Sequence, residues 1–364
     1  MKIFISMRAV VLLAAVSACL IGPAARAQAG TITVVASTIP PKGDLNPYGT
    51  AMVTANMGSL VKGDILISNF NDKNNLQGTG NTIVEISPSG HFSVFAKVDD
   101  AHLPSPCPGG IGFTTALATT RSGWTFVGSL PTKDGTAATA RAGCVLVINS
   151  VGQVVETFFG SLVNGPWDMA SLDGGNRVTL WVTNVLNGTV AAGGQVVHGG
   201  TVVRMDLQIP NGGMPRLTAV TVVGSGFEER SDPVALVIGP TGLGFSRDAN
   251  ALYVADSLRD RVAAISDPLT RTKSAGQGTT VTSGGAIADP LGLAVGQNGD
   301  ILTVNGTNGF LVRTTAGGAQ VAKALLDSSG TPPGNGALFG LAVAPGTGLY
   351  YVDDATNTLN LFQP

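Results

Sequence analysis

Short hydrophobic runs separated by glycine- and proline-rich turns recur along the whole chain. The clearest group of runs occupies residues 240–245, 251–257 and 261–265. The same pattern returns at residues 290–295, 299–305 and 310–313, and a third time at residues 338–343 and 348–354. Runs of this length that are rich in Val, Ile, Leu and Thr and are bounded by turn residues predict β-strands. We therefore expect a chain built from repeated β-modules.

Weaker copies of the module extend towards the N-terminus and bring the number of modules to six. Module 1 takes in residues 47–49, 65–69, 82–86 and 92–95; module 2 takes in 110–112, 124–127, 144–148 and 154–158; module 3 takes in 166–168, 180–184, 201–205 and 217–223. Four-stranded units of about 40–50 residues are typical of propeller blades. The best helical candidate, residues 321–326, is short.

The two ends of the chain complement each other. After Gly336 only three strands are expected, at residues 339–344, 349–353 and 358–362, whereas an unassigned strand, residues 31–37, precedes the first module. If this strand completes the last module, neither end of the sheet is left as a bare edge. We therefore predict an all-β fold, a six-bladed β-propeller with four-stranded antiparallel blades, closed by its N-terminal strand. A solenoid, which would require capping units, is disfavoured.

Composition narrows the function classes. Charged residues make up 12% of the chain, against about 25% in a typical globular domain. The formal net charge is -2 and there is no cluster of Lys and Arg. This charge distribution does not predict the basic surface that nucleic-acid binding requires.

The N-terminus has the features of an export signal. Lys2 and Arg8 are followed by an apolar run, residues 9–21, and by the small-residue site Ala25-Arg26-Ala27. We predict that residues 1–27 are a signal peptide and that residues 28–364 form the propeller domain. The apolar run is too short for a transmembrane span. Residues 16–19 also resemble a lipobox, and a lipid anchor at Cys19 is the alternative; both interpretations imply a periplasmic or secreted protein.

Two cysteines, Cys107 and Cys144, remain outside the predicted signal. An even pair in an oxidising compartment predicts a disulfide. Two unpaired thiols are the alternative, and the spacing matches no zinc-site pattern.

The run 252–257, followed by Arg261 and Val262, resembles the NHL repeat, although Arg259 and Asp260 stand where NHL blades usually carry paired Asn. The modules are also similar to the gluconolactonase and senescence-marker-protein group of six-bladed propellers. That resemblance implies one divalent cation, held by Glu, Asn and Asp side chains at the central mouth, and a lactone-opening activity.

The residues of this chain do not supply that cation site. The corresponding positions at the starts of the inner strands are Tyr48, Ile111, Trp167, Thr241, Leu291 and Phe339. Since a hard cation needs several oxygen ligands, and Asp168 is the only acidic residue near these positions, we predict no cofactor. A single Ca or Zn ion remains the alternative.

Two further patterns concern catalysis and metal binding. A resemblance to streptogramin lyase implies a catalytic histidine, but His91, His102 and His198 all fall in turns or loops. Five second strands end in an Asx residue: Asn69, Asn184, Asp256, Asn305 and Asp354. Such side chains commonly fix turns by bonding to nearby backbone N–H groups, so we expect a structural role, with a cation site as the alternative.

The candidate ligand site lies at the mouth of the channel. Its predicted residues are Tyr48, Trp167, Asp168, Thr241, Leu291 and Phe339. Aromatic surfaces with few polar partners suit an apolar, aromatic or sugar-like ligand, which Asp168 would orient. Packing between blades is the alternative role. The sequence favours an exported module that binds a small molecule or a protein partner; a metal-dependent lactonase or lyase with an atypical site is the alternative.

Overall fold

The computed structural model describes residues 25–41, 43–211 and 213–364. In these ranges the chain forms six sheets, each with at least four strands, arranged as the blades of a propeller. Two strands precede the first blade: β1 (Arg26–Ala27) and β2 (Thr31–Ser37). The predicted signal peptide and the lipobox at Cys19 fall on residues 1–24, apart from the cleavage site, and so lie outside the described residues.

The first three blades follow the predicted order of strands from the axis outwards. Blade 1 consists of β3 (Leu45–Met52), β4 (Ile65–Asn71), β5 (Thr82–Ile86) and β6 (Phe92–Lys97). Blade 2 consists of β7 (Phe113–Thr119), β8 (Thr125–Ser129), β9 (Cys144–Ile148) and β10 (Val154–Phe158). Blade 3 consists of β11 (Pro166–Asp173), β12 (Arg177–Asn184), β13 (Val197–Gln208) and β14 (Arg216–Asp232), with β15 (Leu236–Ile238) folded back on β14.

The last three blades are more regular. Blade 4 consists of β16 (Pro240–Phe245), β17 (Ala251–Asp256), β18 (Arg261–Ser266) and β19 (Thr279–Ser283). Blade 5 consists of β20 (Pro290–Val295), β21 (Ile301–Asn305), β22 (Phe310–Thr314) and β23 (Gln320–Leu325). Blade 6 contains β24 (Leu338–Ala344), β25 (Gly348–Asp353) and β26 (Thr358–Gln363). The best helical candidate of the sequence is thus mostly strand β23.

Helical structure is confined to loops among the described residues. There is one short α-helix, α1 (Thr189–Ala192), and three 3₁₀ turns: Asp100–His102, Ala137–Thr139 and Ser257–Arg259. No helix in ranges 25–41, 43–211 and 213–364 is long and apolar enough to cross a membrane.

The N-terminal strand closes the ring as predicted. β2 pairs antiparallel with β26, with Ile32 opposite Phe362 and Ser37 opposite Thr358. It is the fourth strand of blade 6, so the last blade is built from both ends of the propeller domain. β1 lies elsewhere, in parallel pairing with β23 of blade 5.

The core is divided among the gaps between neighbouring blades. Each gap encloses one cluster of buried apolar side chains. In β4, for example, Ile65 and Ile67 pack towards blade 6 and Leu66 packs towards blade 2, and all three are fully buried. Since both faces of the inner and middle strands are buried, these strands read in the sequence as continuous apolar runs.

All six inner strands (β3, β7, β11, β16, β20 and β24) carry a β-bulge near their first residue. In blade 4, Pro240 lies opposite Asp256, but the next pair is Leu243 with Val254. A bulge of this kind adds residues to one strand and turns their side chains out of the regular alternation. It therefore sets which groups reach the channel.

Blade 2 departs from the register that the sequence suggested. Its inner strand begins at Phe113, which pairs with Ser129, so the position after the strand's first residue is Thr114 and not Ile111. The bulge of blade 2 has one residue more than the others, and no proline marks its start. A template taken from the later blades therefore starts this strand too early.

Inner strands approach each other most closely at glycines two residues after the strand's first paired position. A Cβ added at Gly242, Gly292 or Gly340 would lie closer than 3.0 Å to the backbone of the next blade. Only glycine allows this approach.

The disulfide is confirmed. Cys107, in the loop before β7, is bonded to Cys144 at the start of β9, with the two Cα atoms 5.4 Å apart and a sequence separation of 37 residues. It ties the long connection between blades 1 and 2 to the sheet of blade 2.

Removal of β2 tests the closure of the ring. A chain that begins at Thr38 lacks this strand, and we expect its unfolding temperature to fall by on the order of 10 °C. A chain that begins at Gln28 keeps β2 and loses only the two-residue β1, so its unfolding temperature should stay unchanged. Circular dichroism during heating measures both; equal unfolding temperatures for the two chains would contradict the closure role.

The close approach of the inner strands is tested by Gly292→Ala. The added methyl group meets the backbone of Phe339, so we expect the free energy of unfolding to fall by about 1–3 kcal/mol. Gly317→Ala is the matched control, because the nearest atom to a Cβ there is Thr315 Oγ1 at 3.8 Å. Urea titrations compare the two variants, and equal losses would argue against a packing constraint at Gly292.

Candidate functional site

An aromatic cluster fills the channel at the upper face, defined as the face where the six inner strands begin. The ring of Tyr48 stacks on those of Phe339 and Phe70, with distances between ring centroids of 3.8 Å and 4.5 Å. Trp167 contacts Tyr48 edge-on, with the ring centroids 6.1 Å apart. These residues come from blades 1, 3 and 6, and each is at most 5% exposed. We call Tyr48, Phe70, Trp167 and Phe339 the aromatic plug.

Loops cover the aromatic plug from above. Leu236 and Val237 of β15 are buried in the same apolar cluster as the plug. The loop before them reaches across the mouth, where Gln77 Nε2 of blade 1 donates a 2.7 Å hydrogen bond to Val234 O. The upper end of the channel is therefore closed by the chain itself.

Below the plug lies a cavity of about 200 Å³. Residues of all six inner strands line it: Thr50, Thr115, Asp168, Met169, Leu243, Gly244, Gly292, Leu293, Ala294, Val295, Gly340 and Leu341. The lining runs as far as Val295, the last residue of β20. The cavity thus extends towards the lower face, away from the plug.

Asp168 is the only ionisable residue in this lining. It stands two residues after Pro166, at the position that Gly242, Gly292 and Gly340 hold in the other blades. In those blades only glycine fits at this position, because a Cβ atom would collide with the backbone of the next blade. Blade 3 places a carboxyl group there instead, and blade 2, which begins at Phe113, places Thr115 there, so these two blades depart from the glycine of the others.

Burial governs the ionisation of Asp168. The group lies deep in the ring, although the cavity leaves part of the side chain accessible. This burial raises the pKa of Asp168 to about 7, against the effect of hydrogen bonds from the backbone N–H groups of Met169 and Leu243. The bond from Met169 N to Asp168 Oδ1 is 2.7 Å long. A carboxyl with such a pKa changes charge near neutral pH.

The other predicted site residues take different places. Thr241 is buried, its hydroxyl 2.7 Å from Ser257 Oγ, which itself donates to Pro290 O at 2.7 Å. Leu291 is partly buried and packs on the cluster of the plug. The structure therefore brings Tyr48, Trp167 and Phe339 together beneath the loops and leaves Asp168 on the cavity side; a ligand-binding role for the set stays a prediction.

The Asx residues that end the second strands are bonded within the scaffold. Asn305 Nδ2 donates to Ala286 O at 2.8 Å, and Asp256 forms an ion pair with Arg261 at 2.7 Å. In blade 6 the residue in this register is Asp353, opposite Leu338, rather than Asp354. These contacts tie strand ends to neighbouring loops.

Other carboxyls at the upper face, Asp256 and Asp353 among them, also have a raised pKa, with burial as the main cause. The pKa is raised to about 8 for Glu229, to about 6 for Asp289 and to about 8 for Asp354. Glu229 is fully buried and accepts a 2.8 Å bond from Asn187 N. The sequence analysis does not single out Glu229 or Asp289, because neither the strand pattern nor the turn pattern shows which carboxylates the fold buries.

The histidines are solvent-exposed, and His102 Nδ1 lies 2.7 Å from Asp99 Oδ2. Across the part of the chain that the structure describes, no three His, Cys, Asp or Glu side chains converge in a way that could hold a metal ion. The cavity itself offers one carboxylate. The donor set therefore does not fit the cation site that the resemblance to gluconolactonases implies.

No family model matches this chain, and no curated protein matches it. Its fold is that of several solved six-bladed propellers. Regucalcin from Agrobacterium tumefaciens, described as a calcium-binding protein, has a TM-score of 0.58 and 15% identity over 93% of this chain and 95% of that one. A gluconolactonase from Xanthomonas campestris has a TM-score of 0.55 and 14% identity over 93% and 91% of the two chains.

A third structure, the PQQ-bound aldose sugar dehydrogenase from Streptomyces coelicolor, has a TM-score of 0.53 and 15% identity over 94% of this chain and all of that one. At such identities the similarity shows the fold alone. The propeller that the sequence resemblance implied is thus confirmed, and the NHL repeat is compatible with it.

The pKa of Asp168 leads to a prediction for stability. Its pKa is about 3.9 in an unfolded chain and about 7 in the fold. Between these values the folded state holds the proton and the unfolded state has lost it, so stability falls as pH rises. For Asp168 alone we expect a loss of about 2 kcal/mol between pH 5 and pH 7.

Asp168→Asn should remove this part of the pH dependence, while Asp267→Asn, an exposed turn residue, should leave it intact. Glu229 and Asp354 act in the same direction up to about pH 8, and Asp289 does so up to about pH 6, so both variants keep a residual slope. Denaturant titrations at several pH values measure the effect. An unchanged slope in Asp168→Asn would show that the carboxyl is not desolvated.

Proposed function

We propose that this protein is an exported binding module whose channel cavity takes a small, mostly apolar ligand oriented by Asp168. The observation that carries the proposal is the placement of a single carboxyl group in a cavity of about 200 Å³ whose other lining residues are uncharged, with Thr50 and Thr115 as the only other polar side chains of the lining. Ligand sites are typically concave and apolar with a few polar groups that fix orientation. Asp168 is that polar group.

The size of the cavity limits the ligand. A cavity of about 150 Å³ accommodates benzene, so this one suits a molecule with an aromatic ring and one short substituent. Since the plug and the β14–β15 hairpin close the upper end, the ligand enters from the lower face, on the side of Val295. Of the predicted mouth residues, Asp168 lines this cavity, whereas Tyr48, Trp167 and Phe339 are not part of its lining.

The proposal of export rests on the N-terminal sequence and the disulfide. A bond between Cys107 and Cys144 is stable in an oxidising compartment. A periplasmic or secreted location agrees with the small-residue cleavage site after Ala27.

A metal-dependent lactonase is the second candidate, and the fold shared with the Xanthomonas gluconolactonase favours it. The residues of the cavity argue against this candidate, because a hard cation needs several oxygen ligands and the cavity offers one carboxylate. Metal analysis of the purified protein separates the two candidates: one tightly held calcium or zinc ion per chain would favour the enzyme.

Benzyl alcohol is a suitable probe for the binding function, because it is neutral and has one hydrogen-bond donor. We expect wild-type protein to bind it with a dissociation constant of about 1 mM or below. Ala294→Phe fills the cavity and should abolish binding. Ala355→Phe places the same side chain at an exposed site on the upper face and should bind like the wild type.

Isothermal titration calorimetry measures all three proteins, and thermal unfolding shows that the variants are folded. Binding that survives in Ala294→Phe but disappears in Ala355→Phe would move the site to the upper face and overturn the proposal.

A further inference from the structure

Asp168 has no cationic partner among the described residues. Burial and two backbone hydrogen bonds account for its pKa, with no contribution from another charge. The neighbouring strands β7, β8, β16 and β20 contain no charged residue. On β12 the one charged residue is Arg177, which is exposed at the end of the strand opposite to Asn184. A buried carboxylate without a counter-ion is rare in proteins.

The walls around Asp168 indicate what could provide the missing charge. Leucine and valine side chains of β20 and β24 supply apolar surface, and the glycines of these strands supply flat backbone. Thr50 and Thr115 add two hydroxyls, of which that of Thr115 donates to Trp167 O. A metal ion would need more oxygen ligands than one carboxylate gives. A sugar would need a polar partner for each hydroxyl, since an unpaired buried polar group is costly. An organic cation needs one acidic group and an apolar wall.

We propose that the ligand of the cavity is a small organic amine, whose ammonium group pairs with the Asp168 carboxylate while its hydrocarbon part fills the channel. This inference rests on the proposed binding function. The ammonium group brings both the positive charge and the hydrogen-bond donors. Charge-assisted bonds of this kind are stronger than bonds between neutral groups, and burial in the channel reduces screening by salt.

The test compares benzylamine with benzyl alcohol, two probes of the same size that differ in the amino and hydroxyl groups. At pH 8 we expect calorimetry to show that wild-type protein binds benzylamine at least tenfold more tightly than benzyl alcohol. In Asp168→Asn the preference should vanish, with the affinity for benzyl alcohol within threefold of the wild-type value. Ala355→Phe is the folded control and should keep the preference.

A second measurement uses wild-type protein alone and does not depend on the variant. Because benzylamine pairs with the ionised carboxyl, its affinity should rise by about tenfold between pH 6 and pH 8, while the affinity for benzyl alcohol should not rise. The charged groups nearest along the chain, Asp173 and Arg177, lie at the far end of the β11–β12 pair.

The outcomes separate the two proposals. Equal affinities for the two probes, or a preference for benzylamine that persists in Asp168→Asn, would overturn the proposal of an amine ligand. Either result would leave the proposed binding function standing. An affinity for benzylamine that does not change with pH would also overturn it. Failure of both probes to bind wild-type protein would overturn the binding function itself.

Discussion

The close approach of six backbones around one axis is the constraint on which the rest of the structure depends. Each inner strand bulges near its start, and in blades 4, 5 and 6 a glycine two residues later lets the next strand come within van der Waals distance. The ring can then close with apolar clusters between all neighbouring blades. Blades 2 and 3 depart from glycine at this position, and there the channel is lined by Thr115 and by Asp168, the one ionisable residue of the lining.

The sequence predicted the architecture well because its signals are repeated. The runs around Gly242, Gly292 and Gly340 share one pattern, and strand pairing follows from that pattern and from the count of strands at the two ends. The closing pair of β2 and β26 is the best example, since no local signal links residues 31–37 to residues 358–363. The start of blade 2 was misplaced because its longer bulge and missing proline break the template.

The site was harder to predict than the fold, for a physical reason. Repeats reveal which residues begin the inner strands, so Tyr48, Trp167 and Phe339 were rightly placed near one another. They do not reveal what covers those residues. The β14–β15 hairpin, which seals the upper mouth with Leu236, comes from a long non-repeated insertion in blade 3. The cavity on the other side of the aromatic plug depends on the same closure and has no sequence pattern of its own.

The distribution of charge follows from these two features together. Glu229 is buried and Asp289 and Asp354 are partly buried at the upper face, whereas Asp168 borders the cavity below the plug. Ionisation of each of these four carboxyls lowers the free energy of unfolding, so their combined destabilising effect grows as the pH rises from 6 to 8. Asp168 faces the channel cavity, and there a bound cation would offset the cost of its charge.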